Sequence, residues 1–201
     1  GSMTQNRGPA GSPAVRAPPP PGAFPVEEPD KFPLEPSPST WDPPLLVRDD
    51  QGCWRRATPE QILKAARHAV DQTTRRGEAF GSADAVKDYL RTKLAGFEHE
   101  VFSALFLDNG YRLIEYVELF RGTLRTTSVY PREVVKEALR LNAAAVIFSH
   151  NHPSGDPRPS REDEALTHQL EMALATIDVH VLDHIIVAGA RTSSFAEHGL
   201  L

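Results

Sequence analysis

The feature that most constrains this fold is a series of apolar runs of strand length, which begins near residue 100 and alternates with helical patterns. The run Val101–Leu107 is almost wholly apolar and is followed by Asp108-Asn109-Gly110. Asn-Gly is a preferred pair for a tight turn, so the pattern predicts a hairpin whose second strand runs from Tyr111 to about Phe120.

Further elements follow along the chain. They are a helix that begins near Pro131, a buried strand at 143–148, a helix that opens at Ser160 and a last strand at 179–188. Strands and helices that alternate in this way are typical of an α/β (α+β) domain of about 100 residues built on one mixed sheet.

Proline separates the N-terminal part of the chain from this domain. Thirteen of the 18 prolines fall in the first 44 residues, a composition that cannot bury enough apolar surface to offset its ordering entropy. Gly1-Ser2-Met3 has the sequence of a scar left by tag cleavage. We therefore predict a disordered Pro-rich tail at 1–53, a helical segment at 54–95 and the alternating domain at 96–201.

The helical segment carries two amphipathic patterns. The first has its apolar stripe at Ile62, Leu63, Ala66 and Val70, and the second has Ala85, Val86, Tyr89 and Leu90 inward and Lys87, Arg91 and Lys93 on its polar face. Residues 55–95 hold nine Lys and Arg against five Asp and Glu. Both a solvated helix face and contact with an acidic partner such as nucleic acid are compatible with this excess.

Charge and composition exclude several classes of protein. The net charge of −5 provides no global positive field toward nucleic acid or anionic membranes, and no apolar run approaches the roughly 20 residues of a membrane-spanning helix. Cys53 is the single cysteine, so an intramolecular disulfide is excluded. With no secretory signal in the sequence, we predict a cytoplasmic protein.

The residues that carry chemistry follow the strand predicted at 143–148. His150 and His152 are two residues apart at its end, so their imidazoles point to the same side. Ser160 caps the next helix and Asp163 lies in its first turn. Two histidines, one carboxylate and a water make the open tetrahedral arrangement of a catalytic zinc site. The alternative is structural, because Ser160-x-x-Asp163 is also close to a capping box.

These residues resemble a known family. His150-x-His152-Pro153, then Ser160 and Asp163, matches the JAMM motif of JAB/MPN metalloproteases. The fuller set resembles the RadC-like branch in a short stand-alone form: His150-Asn151-His152-Pro153-Ser154-Gly155, Asp183-His184-Ile185-Ile186, Tyr130-Pro131-Arg132-Glu133 and Asn142-Ala143-Ala144-Ala145. The similarity covers roughly residues 80–201 and implies a cytidine-deaminase-like mixed sheet flanked by helices.

The resemblance also implies an activity and roles for residues. In such a metalloprotease a zinc-activated water attacks a peptide or isopeptide carbonyl, with His150, His152 and Asp163 as zinc ligands. Ser160 would steady the oxyanion and the bound water. Glu100 matches the family's general acid/base, and Glu98 has the same side-chain parity and is its rival. Glu115 and Glu118 are expected to be surface or structural residues.

Other polar residues and two other functions stay open. His184, beside Asp183, is either a group that orients a zinc ligand or a buried histidine with a local hydrogen bond. Arg132 is either a contact for a substrate carboxylate or a packing residue. The alternatives to a hydrolase of peptide or protein substrates are a nucleic-acid-binding DNA-repair or mobile-element factor and a catalytically silent metal-stabilised interaction module. The sequence does not indicate an oligomeric state.

Overall fold

A computed structural model of the protein describes residues 45–74, 77, 79–122 and 129–201. The elements in chain order are β1 (Leu46–Arg48), β2 (Trp54–Arg56), α1 (Pro59–Thr73), α2 (Ala83–Leu94), β3 (Glu100–Leu107), β4 (Leu113–Gly122), α3 (Pro131–Arg140), β5 (Ala145–Asn151), α4 (Arg161–Ala175), β6 (His180–Ala188) and β7 (Arg191–Ser194). No helix within these ranges has both the length and the apolar character needed to cross a membrane.

Five of the described strands form one mixed sheet in the order β4-β3-β5-β6-β7. β5 and β6 run parallel and are joined through α4, whereas the pairs β3–β4, β3–β5 and β6–β7 are antiparallel. The predicted α/β fold with a mixed sheet and flanking helices is confirmed. β7 is an edge strand that the sequence did not predict.

Helices cover both faces of this sheet. In β3, Val101 and Leu105 belong to the same buried cluster as Leu90 of α2, whereas Phe102 and Phe106 lie in the cluster that contains α3 and α4 residues. Successive strand residues point to opposite faces, so the almost continuous apolar run of β3 serves two cores at once. The resulting order is α2, sheet, then α3 with α4.

The β3–β4 hairpin is confirmed, but its turn differs from the prediction. Asp108 and Arg112 close a three-residue loop, because the amide of Asp108 donates to the carbonyl of Arg112, and the Asp108 carboxylate accepts the amides of Gly110 and Arg112. Tyr111 has the positive φ of 56°. The left-handed residue is therefore Tyr111 rather than the predicted Asn-Gly pair, and the strand begins at Leu113.

Strand β1 corrects one predicted boundary. It lies inside residues 1–53, which we predicted to be disordered, and it pairs antiparallel with β2. The turn between the two strands is held by the Asp49 carboxylate, which accepts the amides of Gln51 and Cys53. The prediction is wrong for residues 46–48, where local pairing offsets the ordering entropy, and residues 1–44 lie outside the described part. Cys53 is exposed.

Lys93 also departs from the sequence-based expectation. It is buried rather than part of a solvated polar face; its ammonium lies 2.8 Å from an Asp71 carboxylate oxygen and 4.4 Å from the centre of the Tyr116 ring. Lys87 forms an ion pair with Glu197. Two of the cations that suggested an acidic partner are thus neutralised within the protein.

Three large apolar side chains of the helices are exposed. Leu139 of α3 and Met172 of α4 are 61% and 59% exposed, because the buried positions of these helices are Val134 and Ala138 in α3 and Leu170 and Leu174 in α4. The inward stripe of each helix is therefore narrower than the apolar pattern indicated. In α1, Ile62 is 37% exposed, and none of that helix's described residues is buried.

Candidate metal centre

The candidate site is built where β5 ends. His150 lies within β5 and pairs with Phe102, so its side chain projects to the face of the sheet that α4 covers. His152 comes one residue after β5 and has the same parity. Its amide continues the ladder by donating to the carbonyl of Val187 at 2.8 Å. His150 is fully buried, whereas the His152 side chain is 14% exposed.

Asp163 approaches both histidines from the N-terminus of α4. Ser160 caps this helix and forms a capping box with Asp163; the Ser160 amide and hydroxyl donate to Asp163 Oδ2 at 2.8 and 2.6 Å. The structural role predicted as an alternative is therefore present. It does not compete with the chemical one, because the capping bonds orient the carboxylate toward the histidines.

The donor atoms of the three residues have the spacing of one small cation site. His150 Nε2 lies 2.9 Å from His152 Nε2 and 3.2 Å from Asp163 Oδ1, and His152 Nε2 lies 3.5 Å from Asp163 Oδ2. For zinc bonds of about 2.0–2.1 Å, tetrahedral geometry places two donors about 3.3–3.4 Å apart. The set is the candidate metal cluster found among the described residues, and it fits zinc.

Hydrogen bonds on the far side of each ring support the same reading. His152 Nδ1 lies 2.7 Å from the carbonyl of Asp156, and a carbonyl only accepts hydrogen bonds, so Nδ1 carries a proton. In the neutral ring Nε2 therefore keeps its lone pair. His150 Nδ1 lies 2.8 Å from Nε2 of His184. Because this contact occupies its Nδ1, His150 turns its Nε2 toward the Asp163 carboxylate. A cation bound between the lone pairs of the two imidazole nitrogens and the carboxylate would relieve the repulsion among them.

The environment of the site shifts the pKa values of Asp163, His152 and His184. Burial raises the pKa of Asp163, but hydrogen bonds to His150 and His152 outweigh it and leave the pKa far below its ordinary value. The hydrogen bond to Asp163 raises the pKa of His152, and the charge of Glu100 adds to this. Burial lowers the pKa of His184 well below its ordinary value, which keeps this ring neutral.

Glu100 lies closer to the candidate ligands than its rival Glu98. It is the first residue of β3 and is half-buried, whereas Glu98 is exposed and lies before the strand. Because Phe102 pairs with His150, the antiparallel register brings residue 100 opposite residue 152. Glu115 and Glu118 lie on β4 and form ion pairs with Arg140 and Arg121, away from the ligands.

Asn151 is a residue beside the candidate ligands to which the sequence assigned no role of its own. It is buried within β5, between the two histidines, and points to the opposite face of the sheet. Its side-chain oxygen accepts the amide of Val101 at 2.7 Å, and its side-chain nitrogen donates to the carbonyl of His99 at 2.9 Å. The amide therefore holds the backbone on both sides of Glu100.

Of the remaining polar candidates, His184 contacts a candidate ligand, and the others lie outside the metal cluster. Arg132 is exposed, lies over the Tyr130 ring and pairs with Glu133, as expected for a packing role. Five further histidines of the described part lie outside the candidate metal cluster: His68, His99, His168, His180 and His198. His184 is fully buried and bonded to His150, and Thr167 of α4, which the sequence did not indicate, contacts it.

The pKa of His152 is raised and that of His184 is lowered. Together these two shifts predict that the stability of the metal-free protein has a maximum as a function of pH. The raised pKa of His152 contributes stability that is complete below its unfolded value and is lost as pH rises through the folded value. The lowered pKa of His184 removes stability as pH falls below the unfolded value. For these two groups the melting temperature peaks near pH about 6.5.

Zinc is expected to move this maximum to higher pH, because it binds deprotonated histidine. Thermal unfolding across pH, with chelator and with excess zinc, measures both curves. Identical curves under the two conditions would contradict the prediction.

Open space adjoins the site. A cavity of about 240 Å³ lies beside His152, and its lining includes Leu94, Phe97, Pro153 and Val187. Leu94 and Val187 belong to the core on the α2 side of the sheet, whereas the donor atoms of the candidate ligands meet on the α4 side. Of the three candidate ligands, His152 has the most exposed side chain, and those of His150 and Asp163 are buried.

Comparisons with known proteins agree with this geometry. The chain matches the family model described as RadC-like JAB domain over residues 80–200. A protein of Vibrio cholerae serotype O1 named UPF0758 protein is 55% identical over 147 residues, which cover 73% of this chain and 92% of that relative.

Two further relatives with the name UPF0758 protein are longer. One from Acidovorax sp. (strain JS42) is 57% identical over 73% of this chain and 62% of its own length, and one from Nitrosomonas eutropha is 52% identical over 71% and 63%. The matched region thus spans less than two thirds of these two proteins. The match over most of the described domain shows that the chain belongs to the RadC-like JAB domain family.

Proposed function

We propose that the protein is a zinc-dependent metallohydrolase that cleaves peptide or isopeptide bonds, with His150, His152 and Asp163 as the zinc ligands. Membership of the RadC-like JAB family supports a metal-dependent hydrolase. The observation that carries the proposal is the convergence of two imidazole nitrogens and one carboxylate. The nitrogens are 2.9 Å apart, and each lies 3.2 or 3.5 Å from an oxygen of Asp163.

Three protein ligands favour a catalytic over a structural site. Structural zinc is held by four protein ligands, whereas catalytic zinc keeps one position for water or substrate. Here the His152 side chain is 14% exposed, so water can reach one of the three candidate ligands. Bound zinc would polarise a carbonyl and lower the pKa of water to near 7.

The chain's own residues supply the proton transfers. The Glu100 carboxylate would accept the proton of the attacking water and return it to the leaving nitrogen. Its place opposite residue 152 and its electrostatic effect on His152 support this role. The Ser160 hydroxyl donates its single proton to Asp163 Oδ2 at 2.6 Å. To serve as the predicted donor to the developing oxyanion, it would have to turn this proton away from the carboxylate.

Metal removal tests the proposal directly. We expect the purified protein to contain about one zinc per chain by elemental analysis and to cleave members of peptide and isopeptide-linked libraries. Chelation should abolish cleavage, and zinc should restore it while magnesium does not, because two imidazoles and one carboxylate suit zinc rather than a hard cation. Cleavage that persists after complete zinc removal would refute the proposal.

A further inference from the structure

A chain of hydrogen bonds runs behind the candidate ligands, and none of the assigned roles uses it. Thr167 Oγ1 lies 2.6 Å from the carbonyl oxygen of Asp163 and 2.6 Å from Nδ1 of His184. His184 Nε2 lies 2.8 Å from Nδ1 of His150. The chain therefore connects the backbone of one candidate ligand with the ring of another.

Both linking side chains are sealed from solvent. His184 is fully buried and Thr167 is 1% exposed. The His184 ring stacks on Phe195 with centroids 4.6 Å apart and meets Phe102 and Phe148 edge-on. Because aromatic rings offer no competing hydrogen-bond acceptor of comparable strength, the two ring nitrogens of His184 depend on Thr167 and His150.

The carbonyl of Asp163, at one end of this hydrogen-bond chain, decides which atom donates in each of its hydrogen bonds. The carbonyl of Asp163 can only accept, so the single hydroxyl proton of Thr167 points to it. Thr167 then has only a lone pair for His184, which must carry its proton on Nδ1. Neutral His184 therefore offers a lone pair at Nε2, and His150 must place its proton on Nδ1. The Nε2 of His150 is left with its lone pair, facing His152 Nε2 and Asp163 Oδ1.

We propose that Thr167 and His184 are positioning residues that fix the Nδ1–H tautomer of His150 and so present its Nε2 to a divalent cation. This inference rests on the metal-binding part of the proposed function. Partners that fix the tautomer and the ring direction of a ligating histidine typically change metal affinity by about 10–100-fold when they are removed.

The matched variants are Thr167→Val and Thr167→Ser. Valine keeps the shape of threonine but removes the hydroxyl, so His184 loses the partner that holds its proton on Nδ1. His184 can then place the proton on Nε2 and drive the proton of His150 to the atom that should bind metal. Serine keeps the hydroxyl. We expect zinc affinity, measured by competition with a chromophoric chelator, to fall about 10–100-fold in Thr167→Val and to stay near wild type in Thr167→Ser.

Nitrogen NMR of the histidine rings in the metal-free protein provides a second readout. In the pH range where the His150 ring is neutral, we expect wild type and the serine variant to show a protonated Nδ1 and an unprotonated Nε2 in His150, and the valine variant to lose this pattern. A wild-type His150 with its proton on Nε2 would overturn the inference without any variant, even if valine prevented folding. Unchanged zinc affinity in a folded Thr167→Val protein would overturn it as well.

The same data separate this inference from the proposed function. If wild type binds no zinc, the hydrolase proposal fails, while the NMR result still decides whether the chain sets the His150 tautomer. If wild type binds zinc and hydrolyses peptides but both variants equal it, only the positioning role is refuted.

Discussion

His152→Ala is expected to weaken zinc binding by about 10²- to 10⁴-fold and to abolish hydrolysis. Structural zinc sites with four ligands bind with about 10–16 kcal/mol, so the loss of one of three protein ligands removes about 3–5 kcal/mol, and each 1.4 kcal/mol is a tenfold change. His152 is the best ligand to remove, because it lies after the end of β5 and is partly exposed, whereas replacement of the buried His150 would also leave a void.

His168→Ala is the matched control for this experiment. His168 is on α4, the helix that carries Asp163, but its side chain is 74% exposed and lies 3.7 Å from Glu171. It should retain the wild-type zinc content and activity. Zinc titration by calorimetry and elemental analysis of the two variants decide the matter, and a His152→Ala protein that keeps one tightly bound zinc would exclude the assigned ligand set.

Glu100→Gln is expected to reduce kcat by about 10²- to 10⁴-fold while the zinc content stays at one per chain. A positioned general base contributes a rate factor of this size, and glutamine keeps the shape and hydrogen-bonding capacity of glutamate but cannot accept the proton. The variant also separates a hydrolase from a catalytically silent metal-stabilised module, because only the hydrolase has an activity to lose.

Glu98→Gln provides the comparison for the general base. Glu98 shares the parity of Glu100 along the sequence but is exposed and precedes β3. Steady-state kinetics on a cleaved library member should show near wild-type kcat for Glu98→Gln. A large loss in that variant, with Glu100→Gln unaffected, would reassign the base, and no loss in either would exclude both.

The candidate ligands could be predicted because they lie within one short stretch of sequence. Residues 150–163 contain the end of a strand, a loop and the first turn of a helix, and each piece has a local signal: two-residue spacing for the histidines, and the serine cap for Asp163. Local geometry thus brings the three side chains to one place without knowledge of distant contacts.

The sequence left two roles open for His184, because the direction of its side chain depends on a bulge. Val181 packs in the cluster on the α4 face and Leu182 in the cluster on the α2 face, so strict alternation would send His184 toward α2. The register between β5 and β6 shifts after Val146 and pairs Ile147 with Asp183. This shift turns His184 toward His150, since one inserted residue reverses the side-chain parity.

Asn151 was missed for a similar reason. Its importance comes from pairing between β5 and β3, which are 50 residues apart at the contact with Val101. In the sequence, an asparagine beside Pro153 and Gly155 is typical of a loop. Only the sheet order, which places β5 next to β3, shows that its amide serves the backbone around Glu100.

The ion pair between Asp71 and Lys93 bears on where this domain can be cut. The family match begins at residue 80, but the buried ammonium of Lys93 takes its counter-charge from Asp71 on α1, and Tyr89 also donates to that carboxylate at 2.9 Å. A fragment that began at residue 80 would lack Asp71 and would leave the buried Lys93 ammonium without its counter-charge. We therefore expect a fragment that includes α1 to be more stable than one that begins at residue 80.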